Sequence, residues 1–294
     1  MTQPHPSLLE HILSSGHFGN IIDGIAATAV FAILATFWHY FGHGIRHGWY
    51  RLLYTIWRYL TWRREILLWI DTDFGTVQRL ADHVRTQLQA VTTGNLRRAR
   101  IHALKFPREI LQHPMRPSIV AAIILINTDV SKLSADDKVR EQIQDRLLKY
   151  LSRGGGLVGC HDVIYRRARN ERLQQAFGGR IDGFRTLKGQ PVEYVRNPAQ
   201  DNHPIVTALD EKFTLMDGEI LATKDWPRDA QVLFSSTEKT EPHSLVVAQE
   251  YLKTGRLVWL NSCDHQDPIC PSIGKPQTHF VTLLSASVQW VARC

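Results

Sequence analysis

From residue 65 onward the chain alternates continuous apolar runs of strand length with amphipathic helical stretches, and nothing else about it restricts the fold as much. Residues 65–71 (EILLWID), 99–104, 119–127 (IVAAIILIN) and 156–160 read as buried strands. Between them the spacing predicts helices over 76–90, over a segment capped by Ser134 and ended by Gly154, and over 166–177. Asp136 and Asp137 fall in the first turn of the middle helix, and Leu147, Leu148 and Leu151 form its apolar face. Residues 191–195, 232–235, 244–248 and 256–261 continue as strands, and 278–292 as a closing helix. Strands that are apolar throughout, separated by helices, imply a parallel sheet covered on both faces. The order is that of a flavodoxin-like doubly wound α/β fold.

The first 64 residues follow different rules. Residues 24–41 (GIAATAVFAILATFWHYF) carry no formal charge, and residues 21–41 as a helix match the roughly 30 Å of a bilayer's hydrocarbon core. The first Lys or Arg is Arg46, and Arg51, Arg58, Arg63 and Arg64 follow among Trp38, Tyr40, Trp49 and Tyr50. Aromatics at headgroup level and arginines beyond them orient such a span with 1–20 outside and the rest in the cytoplasm. Residues 42–64 mix arginine with Trp49, Leu52, Leu53, Ile56, Trp57 and Leu60 at helical spacing, as a helix lying in a membrane interface does. The expected organisation is therefore a short outer terminus (1–20), one transmembrane helix (21–41), a basic aromatic linker (42–64) and a cytoplasmic domain (65–294). Gly24, Ala27 and Ala35 supply small residues on which protomers can pack, so a homo-oligomer is expected.

The net charge of +7 would suit nucleic acid, but its crowding just after an apolar segment points to lipid instead, and no nucleic-acid partner is expected. The four cysteines (160, 263, 270 and 294) form no C-x-x-C pair, which argues against a zinc ribbon and for a reducing setting; a Cys263 to Cys270 disulfide stays open.

A set of short pieces carries a family resemblance. Gly154-Gly155-Gly156-Leu157-Val158-Gly159 followed by His161, Phe177-Gly178-Gly179, His203-Pro204-Ile205, residues 213–219 (FTLMDGE), Thr254-Gly255-Arg256-Leu257 and Asp264-His265 together resemble a ThuA-like (trehalose utilisation) domain of the class I glutamine amidotransferase-like superfamily. The resemblance spans residues 65–294 and leaves the N-terminal segment outside. It implies sugar-related chemistry. Cys160, Asp264 and Leu245 depart from the family's usual residues.

The candidate catalytic residues are His161, His265, Asp217, Glu219 and Cys160. Cys160 follows a strand and precedes a helix, where a helix N-terminus and a histidine can activate a thiolate, although the glycine-flanked elbow of the glutaminases is missing and a core-filling role competes. His161 and His265 each leave a strand toward the sheet's carboxyl edge, where ligands of this fold class bind. Asp217 and Glu219, two apart in an extended segment, put two carboxylates on one face for acid/base work, or join the histidines around a divalent metal. The competing reading is a solvated acidic loop. His203, Asp71, Asp73, Asp162 and Asp264 are candidate ligand-binding residues, with His203 equally suited to starting a helix before Pro204. The arginines of 165–172 (YRRARNER) either receive an acidic ligand or form a solvated helix face. Two functions fit: a membrane-anchored hydrolase or lyase of a small, polar, sugar-related substrate, or a non-catalytic sensor of a small ligand, anionic or sugar-related, that signals by clustering its transmembrane helix.

Overall fold

The computed structural model describes Val30, Ile56, residue 96 and residues 64–70, 74–91, 99–126, 134–164, 171–186, 190–217, 219–237, 243–262 and 278–293. The chain divides into two units, Met1–Trp57 and Arg58–Cys294. Among the described residues no helix is long and apolar enough to cross a membrane, and the expected span at 21–41 lies outside them except for Val30.

Among the described residues the second unit has eleven strands: β1 Glu65–Ile70, β2 Arg100–Ala103, β3 Val120–Ile126, β4 Gly156–Cys160, β5 Arg180–Thr186, β6 Pro191–Arg196, β7 Lys212–Met216, β8 Glu219–Lys224, β9 Gln231–Ser236, β10 Ser244–Tyr251 and β11 Gly255–Leu260. Its helices are α1 Phe74–Val91, α2 Asp137–Leu151, α3 Glu171–Phe177, α4 Pro204–Thr207 and α5 Thr278–Val291. Nine strands form one sheet in the order β2-β1-β3-β4-β11-β10-β9-β6-β7, and β5 pairs with β8 in a separate ribbon. The five strands β2, β1, β3, β4 and β11 are mutually parallel and give the flavodoxin-like order.

The sheet is mixed rather than wholly parallel. β10, β9, β6 and β7 are each antiparallel to their neighbours. Chain length forces this for β10 and β11, because residues 252–254 between them suffice for a hairpin but not for the dozen or more residues of a parallel crossover. Continuous apolarity misleads here. β10 is buried over its first six residues because it is central and covered on both faces, whatever its direction.

Alternation along each strand sends side chains to two apolar layers. Ile66, Leu68 and Ile70 of β1 pack with Leu80, Val84 and Leu88 of α1 and with Phe280, Leu283 and Leu284 of α5. Leu67 and Trp69 face the other way, with Ile143, Leu147 and Leu151 of α2 and Leu173 and Phe177 of α3. Truncating one such leucine to alanine typically costs about 2–5 kcal/mol. Tyr150 ties the second layer to the sheet: its hydroxyl donates to Val120 C=O at 3.0 Å and accepts from Gly156 N–H at 3.2 Å.

Local boundaries differ from expectation where capping decides them. α2 is capped by Asp136, which accepts from Lys138 N–H, while the Ser134 hydroxyl, two residues earlier, accepts from Asp136 N–H. Leu148 is half-buried rather than central to the apolar face. The helix expected over 166–177 is described only over Glu171–Phe177. β5, β7 and β8 have no counterpart in the sequence reading, because β5 and β8 form a ribbon off the main sheet and β7 is an edge strand with alternating burial.

Candidate functional site at the carboxyl edge of the sheet

β4 ends at Cys160, whose neighbours across the ladder are Ile126 and Leu260. Being still within the strand, Cys160 follows its alternation into the layer beneath α1 and α5 and is fully buried. Burial, and then the negative charge of Asp217, push the thiol well above its ordinary range, so it stays protonated. The strand-to-helix elbow lies one residue later. His161 has φ 46°, in the left-handed region that a branched or bulky residue enters at a cost of about 1–2 kcal/mol. The residues around it, Gly159-Cys160-His161-Asp162-Val163, have the form of a nucleophile elbow with His161 in the central place and valine in place of the second glycine. Gly159 permits the sharp turn: a Cβ there would come within 2.5 Å of Val163 Cγ1 and 2.8 Å of the Phe177 ring.

The elbow turns the His161 imidazole into a nest of carboxylates. Its Nδ1 lies 2.9 Å from Asp162 Oδ1, and because a carboxylate only accepts, Nδ1–H donates. Nε2 stands 4.0 Å from Glu219 Oε1. The backbone is pinned as well, with Trp259 Nε1–H donating to His161 C=O at 3.1 Å. His161 is 1% exposed, Asp162 7% and Asp217 3%. Asp217 accepts from the Ser262 hydroxyl. A ring held by one carboxylate and facing a second can accept a proton at Nε2 and return it, which is the behaviour of a general acid/base.

Asp217 and Glu219 reach this cluster by a route different from the one expected. Asp217 follows β7 in the main sheet, whereas Glu219 opens β8 opposite Thr186 in the ribbon, so no single extended face carries both. Asn261 holds the ribbon in place. Fully buried after β11, it donates to Leu221 C=O at 2.8 Å and to Ser244 C=O at 3.1 Å, and accepts from Leu221 N–H at 2.9 Å. Its own carbonyl accepts from the Tyr194 hydroxyl at 3.2 Å. Sequence reasoning missed Asn261, Ser262 and Trp259. The signal was there: Asn261 and Ser262 follow β11 just as His161 follows β4, on the adjacent parallel strand.

Of the expected site residues, the fold brings together Cys160, His161, Asp162, Asp217 and Glu219. His203 lies elsewhere. It caps α4 by accepting from Ile205 N–H at 3.2 Å, and its ring sits 5.1 Å from that of Trp290, whose carbonyl takes the Arg256 guanidinium at the start of β11. That is the sheet's amino edge, opposite to His161. Burial, and then the charge of Arg256, lower the His203 pKa to about 4, so the ring is neutral near pH 7. Asp71, Asp73, Asp264 and His265 lie outside the described residues. Among the described residues no group of three or more His, Cys, Asp or Glu side chains is arranged to hold a metal ion.

A mixed α/β sheet with a flavodoxin-like parallel half and a histidine elbow at its carboxyl edge defines the class of this domain. Residues 118–291 match the family described as ThuA, trehalose utilisation, and the chain belongs to that family. Among solved structures, a ThuA-like protein from Bacteroides uniformis ATCC 8492 superposes with a TM-score of 0.55 at 16% identity, covering 78% of this chain and 91% of that one. A ThuA-like protein from Parabacteroides merdae ATCC 43184 gives 0.53 at 15% identity, covering 78% and 90%. A glutamine amidotransferase also matches, with a TM-score of 0.46 at 11% identity over 78% of this chain and 99% of that one. No curated protein sequence matches the chain.

Proposed function

We propose that this is a membrane-anchored ThuA-family protein whose carboxyl-edge site performs proton-transfer chemistry, hydrolysis or elimination, on a small polar substrate related to sugars. The observation that carries the reading is His161, held at a left-handed elbow with Asp162 on one nitrogen and Glu219 facing the other. In this scheme Asp162 fixes the ring, and Nε2 withdraws a proton from a substrate hydroxyl or an attacking water. Glu219, in its protonated form, then donates the balancing proton to the leaving group. Asp217 accepts from the Ser262 hydroxyl, and His265, Asp264, Asp71 and Asp73 are kept as candidate site residues on the grounds of the sequence alone. Cys160 takes no covalent part, since a buried thiol is a poor nucleophile. The sugar class rests on the family's description alone.

Anchoring rests on the uncharged stretch at 24–41 and the arginine-aromatic mixture beyond it. Val30 and Ile56, both helical, expose apolar side chains to 53% and 46%, which suits lipid contact or protomer packing. A second reading, ligand sensing without turnover, draws on the depth of the cluster, with His161, Asp162 and Asp217 all less than a tenth exposed.

Full-length protein in detergent, incubated with a panel of disaccharides and glycosides and followed by mass spectrometry, tests the choice. Product formation that His161→Asn abolishes supports catalysis. Turnover unchanged in that variant overturns it, and saturable binding of a panel member without product moves the assignment to sensing.

A further inference from the structure

The second buried histidine borders a cavity of its own. At the sheet's amino edge a groove of about 840 Å³ runs between the start of α4, the β10 to β11 turn and the end of α5. Its lining includes His203, Arg256, Lys253, Trp290, Glu250 and Asp229. The volume falls in the range of small-molecule sites.

Two lining atoms point to the ligand's chemistry. His203 is 8% exposed, and its Nδ1 already accepts from Ile205 N–H, so the proton of the neutral ring sits on Nε2. That Nε2–H is buried and has no hydrogen-bond partner among the described residues, and the same holds for Nε–H of Arg256. A buried donor left unmatched costs about 1–3 kcal/mol. Arg256 Nε faces the Glu250 carboxylate at 3.8 Å, whereas His203 Nε2–H faces no acceptor among the described residues, so the missing partner of His203 is an acceptor.

The charges agree with that assignment. Lys253 and Arg256 line the groove and Arg293 stands close enough to lower the Arg256 pKa; against these three cations are Glu250, 3.8 Å from Arg256 Nε and half exposed, and the exposed Asp229. The Arg256 guanidinium is itself fixed, lying 4.9 Å from the Trp290 ring centre and donating to Trp290 C=O at 2.9 Å. Lys253 is presented by a strained turn. Leu252 and Lys253 have φ of 49° and 59°, two successive side-chain-bearing residues in a conformation that glycine adopts without cost.

We propose that the amino-edge groove is a binding site for a small oxyanion, a phosphate or carboxylate carried by a metabolite-sized molecule, whose oxygens accept from His203 Nε2–H and pair with the Lys253 ammonium and the Arg256 guanidinium. This site is separate from the His161 cluster and stands whether or not that cluster is catalytic.

Isothermal titration of the full-length protein with sodium phosphate, sodium citrate and glucose, at constant ionic strength, tests it. Saturable binding of phosphate or citrate but not glucose is expected, and the stronger anion identifies the group carried by the natural ligand. His203→Asn preserves the helix cap, since asparagine is a strong cap, but withdraws the ring donor. Lys253→Gly withdraws the ammonium and suits the left-handed turn, so it leaves the fold intact. Each is expected to weaken anion binding about tenfold, as loss of a charged or charge-assisted hydrogen bond does. Glucose binding as tightly as the anions, no saturable binding of either anion, or binding unchanged in both variants overturns the proposal.

Discussion

The two edges of the sheet hold the same side chain in opposite electrostatic company. His161, at the carboxyl edge, contacts Asp162 and faces Glu219; His203, at the amino edge, lies near Arg256 and turns its acceptor nitrogen to a backbone N–H. Burial is nearly equal, at 1% and 8%. What differs is charge, and charge decides what a buried imidazole can do. The carboxylates beside His161 suit the proton transfer proposed for it. Burial, and then the Arg256 guanidinium, keep the His203 ring neutral near pH 7, a fixed donor rather than a proton carrier. A histidine in a sequence is therefore only half a functional assignment; the other half is which sheet edge it reaches.

The comparison breaks most visibly at His161. His161→Asn, which tolerates the left-handed backbone, should lower turnover by about a hundredfold or more, the usual contribution of a general acid/base. Initial rates on whichever panel substrate is turned over measure this, and a drop of less than threefold would remove His161 from the chemistry. Next in size, Asn261→Ala strands Leu221 N–H and C=O in a buried setting and should destabilise the domain by about 2–4 kcal/mol, read from urea unfolding. A loss below about 1 kcal/mol would mean that the ribbon carrying Glu219 is held by other contacts.

At the amino edge the test is pH. The unfolded chain protonates His203 near pH 6.5, the folded chain only near 4, so between these values the unfolded state binds more protons. Stability from this group is complete above pH 6.5 and is lost as pH falls toward 4, by up to about 3 kcal/mol. Urea midpoints at pH 7 and 4.5 should fall further in the wild type than in His203→Asn, and equal losses would contradict the neutral-ring assignment. The smallest effect belongs to Cys160→Ala, about 1 kcal/mol for a small buried side chain. With the other cysteines replaced by serine, Cys160 should react with Ellman's reagent only as the domain unfolds. Rapid labelling of the native protein would show a thiolate that burial was expected to suppress.

How far the sequence could be read depended on whether the deciding interaction was local. β4 was legible to the residue, because Gly156 to Cys160 is an apolar run bounded by glycines and by the polar His161-Asp162 step. The helices were legible within a few residues. Direction in the carboxyl-terminal half was not, because β10 and β11 are apolar by virtue of being central, a property set by strands far away in sequence. The site was half legible. His161 is singled out by the sequence as a residue leaving a strand, but not as the elbow itself, because the left-handed turn lies one residue past the strand and has no glycine to mark it. Asn261 escaped notice because its role, bonding Leu221 forty residues earlier, is a contact between two sheets.

By itself the sequence determined that this chain carries a doubly wound α/β domain, since period and run length are properties of neighbouring residues and fix which segments must be buried. It also determined the ThuA resemblance and the presence of a chemically capable step after β4. The tertiary structure decided that the sheet turns antiparallel after β11, that Cys160 is buried in the core layer while the left-handed turn falls on His161 beside two carboxylates, and that His203 belongs to a different edge. Those outcomes depend on which strand lies beside which, and on the charge that the pairing brings near each ring. Local pattern sets burial; only the closed sheet sets the electrostatic company in which a buried group must work.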